Sequence, residues 1–139
     1  MLLGIFLLPL IGLAALLFAL WHLGRMRSAE AKSLYLTQCD TALKFPQFAN
    51  PEGGLDMRSR TVGGDKTAFE QYEWYVARLV YVLDECMMLS RTSRWRAVAQ
   101  TQLGLHKHYF GSDYYKKQDY LPHYSPSMRR LIEEQAHAA

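Results

Sequence analysis

Residues Leu2–Leu23 read LLGIFLLPLIGLAALLFALWHL, a stretch with no Asp, Glu, Lys or Arg. At about 1.5 Å per residue a helix of this length covers roughly 33 Å, which spans a hydrocarbon core of about 30 Å. A buried helix of a globular protein more often carries polar interruptions or a wet face. The stretch therefore predicts a transmembrane helix over residues 1–24, and the rest of the chain is tied to one membrane surface.

The rival reading is a cleaved secretory leader, because Ala29-Glu30-Ala31 has the small-x-small form that a signal peptidase accepts. A leader carries positive charge before its apolar core, whereas Arg25 and Arg27 follow it here. The apolar run also exceeds the usual leader core of about 7–15 residues. An anchor fits both facts better.

Lys and Arg flanking a span are preferentially kept in the cytoplasm, and Arg25, Arg27 and Lys32 all follow this one. The expected orientation is N-terminus out, with the C-terminal domain on the cytoplasmic side of an inner membrane. Trp21 and His22 fall at the inner interface, and Arg25 and Arg27 can snorkel past them into the headgroup layer. Gly12, Ala15 and Ala19 share one helical face, a small-residue spacing that lets transmembrane helices pack closely.

About 115 residues follow the span, enough for one domain. Two cysteines, Cys39 and Cys86, make no disulfide framework and suit a reducing compartment. Residues 1–89 hold eight Lys/Arg against nine Asp/Glu, while residues 90–139 hold eight against four. The basic half is the distal half.

Residues 25–45 place Ala31, Leu34, Cys39 and Ala42 at mostly three- and four-residue steps, an amphipathic juxtamembrane helix that Pro46 ends. Residues 46–66 are rich in Gly, Pro and polar side chains and read as a loop, pinned by Phe48, Leu55 and Met57. Thr67-Ala68-Phe69-Glu70 matches a capping box. It opens a central helix with Phe69, Tyr72, Val76, Leu79, Leu83 and Cys86 on one seam; Trp74, Tyr75 and Tyr81 widen its apolar surface and predict cover on more than one side.

A further helix runs from the Ser90–Ser93 turn through Trp95, Ala99, Leu103, His106 and Tyr109 to a stop at Gly111. Ser125-Pro126 caps a last helix to about Gln135. The expected fold class is all-α: one N-terminal transmembrane helix and a small helical domain of about four helices, residues 67–139 forming its cytoplasmic bulk.

Chemical motifs are sparse. His106 and His108 point about 200° apart on a helix, and Glu134-x-x-His137 is a single pair at a polar terminus. No C-x-x-C, H-E-x-x-H, G-x-S-x-G or phosphate-loop pattern occurs. The reading assigns no catalytic, metal or cofactor residue and does not predict an enzyme; Glu85, His106 and Tyr109 form the one cluster an enzyme would need to bring together. Asp84 and Glu85 lie in an apolar stretch and call for a cationic partner such as Arg78, Arg94 or Arg96.

Arg91, Arg94, Arg96, Lys107, Lys116 and Lys117 interleave with Trp95, Tyr109, Phe110, Tyr114 and Tyr115. Such a zone suits a partner protein, acidic lipid headgroups or, less simply, a single-stranded nucleic acid. The leading expectation is a single-pass, membrane-anchored interaction module, either an accessory subunit of a membrane complex or a self-associating adaptor. The alternative is an anion-binding module contacting acidic lipid or nucleic acid. Membrane lipid and a protein partner or second copy are the expected partners.

Overall fold

The computed structural model describes the backbone of residues 2–139 and side chains from residue 9 onward. Met1 and the side chains of residues 2–8, the outermost part of the predicted span, lie outside the described residues. The span and the juxtamembrane helix are one continuous helix, α1 (Leu2–Lys44), with Pro9 inside it. From Pro9 onward it is long and apolar enough to cross a membrane, and among the described residues none of that apolar window is buried against the rest of the protein.

Six more helices follow: α2 (Pro46–Ala49), α3 (Lys66–Leu89), α4 (Ser93–Gly104), α5 (Lys107–Phe110), α6 (Asp113–Lys117) and α7 (Pro126–His137). The protein is an all-α structure with a long apolar N-terminal helix and a small helical body. Between α2 and α3 the chain forms a hairpin, β1 (Leu55–Asp56) pairing antiparallel with β2 (Thr61–Val62). Residues 46–66 are thus a short helix and a hairpin rather than an irregular loop. Asp56 organises the turn by accepting from the amide of Arg58 at 2.9 Å and the hydroxyl of Ser59 at 2.8 Å. Phe48 is buried and Leu55 and Met57 half-buried, so all three pin the segment as their apolarity predicts.

The distal half of α1 lies antiparallel against α3. Near the span, the Cys86 thiol donates to the Ala31 carbonyl at 3.2 Å; beyond the end of α1, the Phe48 ring meets Tyr72 and Tyr75 at 6.2 and 6.1 Å. The fully buried Ala31 lets the helices approach, and Trp95 of α4 closes that corner with its ring 5.5 Å from Tyr35. Leu79, Leu83, Leu103, Met128, Leu131 and Ile132 form the main core between α3, α4 and α7.

Three local expectations are corrected. Asp65, not Thr67, caps α3: it accepts from the Thr67 amide at 2.8 Å, because the helix already starts at Lys66. The helix expected to run to Gly111 ends at Gly104, and the chain turns through His106 to bury its ring against Tyr72 before α5 begins. Gly111 is right-handed rather than a left-handed stop; it is required because a Cβ there would come within 2.8 Å of Ala139. Asp84 finds no arginine. It accepts from the amide of Ser125 at 2.9 Å and from the Ser125 hydroxyl, which in turn accepts from the Met128 amide at 3.2 Å. A carboxylate at the start of α7 also complements the helix dipole there.

Candidate interaction surface

Helix α3 buries one seam and leaves the opposite face open. Trp74 is 78% exposed, Tyr81 56% and Met88 62%. These residues recur at seven-residue steps, so they line one stripe of the helix. Helix α3 is covered on more than one side as expected, by α1 and by α4 and α7, but among the described residues that cover does not reach Trp74 and meets Tyr81 only at its edge through Tyr124, because the elements beyond α4 fold along the flank of α3.

Beside this stripe lies a groove of about 460 Å³, walled by Trp74, Ala77 and Tyr81 of α3 and by Tyr109, Tyr120 and Tyr124 from the later segments. Its charged lining residues are Glu70 and Glu73. Glu73 accepts from the hydroxyls of Tyr109 and Tyr114, both at 3.1 Å. Burial, helped by the Glu73 carboxylate, pushes the Tyr109 phenol well above its ordinary value, and the same causes raise Tyr114. Burial also pushes Tyr124 up to about 12. The phenols remain donors at neutral pH, which fixes Glu73 as their acceptor. An edge-on Tyr81–Tyr124 pair at 5.4 Å stiffens the far wall.

Deeper in the core, Tyr72 Oη and His106 Nδ1 share a hydrogen bond of 2.9 Å. Burial lowers His106 to about 4, so its ring is neutral at pH 7, and its Nε2 is buried without a partner. His106 and Tyr109 converge on Tyr72, while Glu85 is exposed on α3. The cluster an enzyme would have used is therefore not assembled. Among the described residues no group of three or more His, Cys, Asp or Glu side chains is arranged to hold a metal ion.

At the end of the span, the Arg25 guanidinium lies 5.0 Å from the Trp21 ring centre, and Phe18 stacks on His22 at 6.2 Å. Arg27 is exposed. Gly12, Ala15 and Ala19 lie on an open helix face, where a Cβ added at Gly12 would touch nothing within 4 Å.

The basic aromatic zone divides. Trp95, Tyr109, Phe110 and Tyr115 are core residues, and a buried ring offers no face for a base to stack on. Its cations are distributed over three places. Arg91 and Arg94 lie at the α3–α4 turn, with Arg96 two residues on and 3.4 Å from Glu134. Lys107 is half-buried in a groove with Pro51 and Glu52, and Lys116 and Lys117 end α6. Glu73, Tyr120 and His123 were not singled out from sequence, and Trp74 and Tyr81 were read as apolar surface to be covered rather than as an open face. The heptad repeat of Trp74, Tyr81 and Met88, opposite the Phe69–Cys86 seam, is the signal that marks the open face.

Compared with known protein families, curated protein sequences and solved structures, the chain matches none. The functional reading rests on its own geometry.

Proposed function

We propose that this protein is a single-pass, membrane-anchored helical interaction module, an accessory subunit whose open α3 face receives a partner protein. The observation that carries the reading is the stripe of Trp74, Tyr81 and Met88 beside an aromatic groove. Large aromatic side chains at the centre of such a patch are the kind that dominate binding energy. With Glu70 and Glu73 as the charged lining residues, the groove suits an apolar segment bearing Lys or Arg.

Membrane anchoring is supported by the bare apolar surface of α1, which a soluble core helix would bury. Leader cleavage at Ala29-Glu30-Ala31 would cut inside a continuous helix, at the residue whose carbonyl accepts the Cys86 thiol. Cations following the span favour a cytoplasmic body on the inner membrane, with the N-terminus outside.

A photo-crosslinking residue in place of Trp74, in the native membrane, tests the partner. The expected result is one adduct of defined mass that Ala77→Arg abolishes by filling the groove with bulk and like charge for the partner's cation. A chain that gives no adduct and is monomeric in mild detergent would overturn the proposal.

A further inference from the structure

Two arginines far from the span in sequence are folded back toward it. The Cys86–Ala31 hydrogen bond fixes the C-terminal end of α3 against α1 eight residues beyond Leu23, about 12 Å along the helix axis. From Cys86 the antiparallel α3 returns another turn toward the span before ending at Leu89. The α3–α4 turn at Ser90–Thr92 therefore stands within about 8 Å of the apolar edge, at the depth of the headgroup layer. Trp95, clustered with Ala31 and Cys86 and with its ring 5.5 Å from Tyr35, ties the start of α4 to α1 just beyond that turn.

The charges at this end are one-sided. Arg25, Arg27, Lys32, Arg91 and Arg94 are all exposed, against the exposed carboxylates of Glu30 and Glu85. The opposite end, around the hairpin and the start of α3, balances Arg58, Arg60 and Lys66 with Asp56, Asp65 and Glu70. Exposed Met88 adds an apolar tip beside the arginines.

Resting on the membrane-anchor reading above, we propose that Arg91 and Arg94 of the α3–α4 turn, together with Arg25 and Arg27, form a collar that docks the body onto acidic phospholipid headgroups. The collar makes a second lipid contact, independent of the span, and sets the tilt of the body so that the Trp74–Tyr81 face is held at a fixed angle to the membrane. Each cation near an anionic surface raises its occupancy about fivefold, and the attraction fades within a Debye length of about 8 Å at physiological salt. Lys116 and Lys117, at the end of α6, are not part of it.

The test uses the full chain in nanodiscs of phosphatidylcholine alone or of equal phosphatidylcholine and phosphatidylglycerol. A fluorophore is attached at Thr92→Cys in a Cys39→Ser background, since Thr92 is exposed and Cys86 is buried. Quenching by headgroup-spin-labelled lipid is expected to be about twofold stronger in the anionic discs. Arg91→Glu with Arg94→Glu should return it to the neutral-disc value, while Lys116→Glu with Lys117→Glu should leave it high. Equal quenching in both discs, or indifference to the arginine reversal, overturns the collar while leaving the anchor intact. A chain that does not enter either disc overturns the anchor and the collar with it.

Discussion

Leu17 and Leu79 are the same side chain on the same kind of helix, yet Leu17 is 58% exposed and Leu79 1%. Around Leu79 the apolar residues recur every three or four positions and meet other helices; around Leu17 they run uninterrupted and meet nothing else in the chain. A helix apolar on all sides gains little from facing water, and on the membrane-anchor proposal its neighbours are lipid or other membrane helices. The two regions are stabilised by different surroundings, and a substitution in one should leave the other unchanged.

The largest effect is expected in α1, whose proposed surroundings are lipid. Leu16→Arg with Leu17→Arg places two charges in the span, each costing about 3 kcal/mol to insert at a helix centre. Alkaline carbonate extraction should move the protein from the membrane pellet to the supernatant. Retention of the double variant in the pellet would break the comparison, because α1 would then not be lipid-embedded.

Within the body the same deletion reads differently. Leu83→Ala removes a fully buried side chain and should cost about 2–5 kcal/mol. For a body of this size that lowers the melting temperature by roughly 10 °C or more. Leu17→Ala should leave the body's melting unchanged. Equal shifts from the two substitutions would mean that the span and the body unfold as one unit.

The contrast between these two leucines was legible in the sequence, because it is written in periodicity. The long apolar N-terminal helix and the seam of α3 could be read directly from their residue patterns. The α4–α5 break could not, since Trp95, Ala99, Leu103 and His106 keep helical spacing across it; what turns the chain is the bond between His106 and Tyr72, thirty-four residues away in sequence. Asp84 was equally opaque: its partner Ser125 lies forty-one residues on and carries no charge to suggest pairing. Tyrosines near chain turns fit either a core or a surface, so the division between buried Tyr109 and open Tyr81 appears only when the later segments are seen to fold along the flank of α3.

His106 sharpens the comparison through pH. Burial lowers it from 6.5 to about 4, so between these values the unfolded chain binds the extra proton. Stability from this group is complete above pH 6.5 and falls as pH drops toward 4, by up to about 3 kcal/mol. Urea unfolding of the full chain in detergent at pH 7 and pH 4.5 should give a smaller loss for His106→Gln than for the unsubstituted protein. Parallel losses would mean that His106 is hydrated or already charged in the folded state.

The smallest stability effect is expected two residues from one of the largest. Tyr72 is 0% exposed and Trp74 78%, on opposite sides of the same helix. Tyr72→Ala removes a buried ring and the partner of His106, and should cost about 3–5 kcal/mol. Trp74→Gln removes an even larger ring from water-facing surface, and should change unfolding by less than about 0.5 kcal/mol. Chains seldom keep a tryptophan that exposed for stability alone, so its loss should appear in assembly instead: co-purification from the native membrane should weaken while melting stays put. If Trp74→Gln melts as early as a core variant, the ring is packed in the folded protein, and the open face of α3 ceases to be a candidate for a partner.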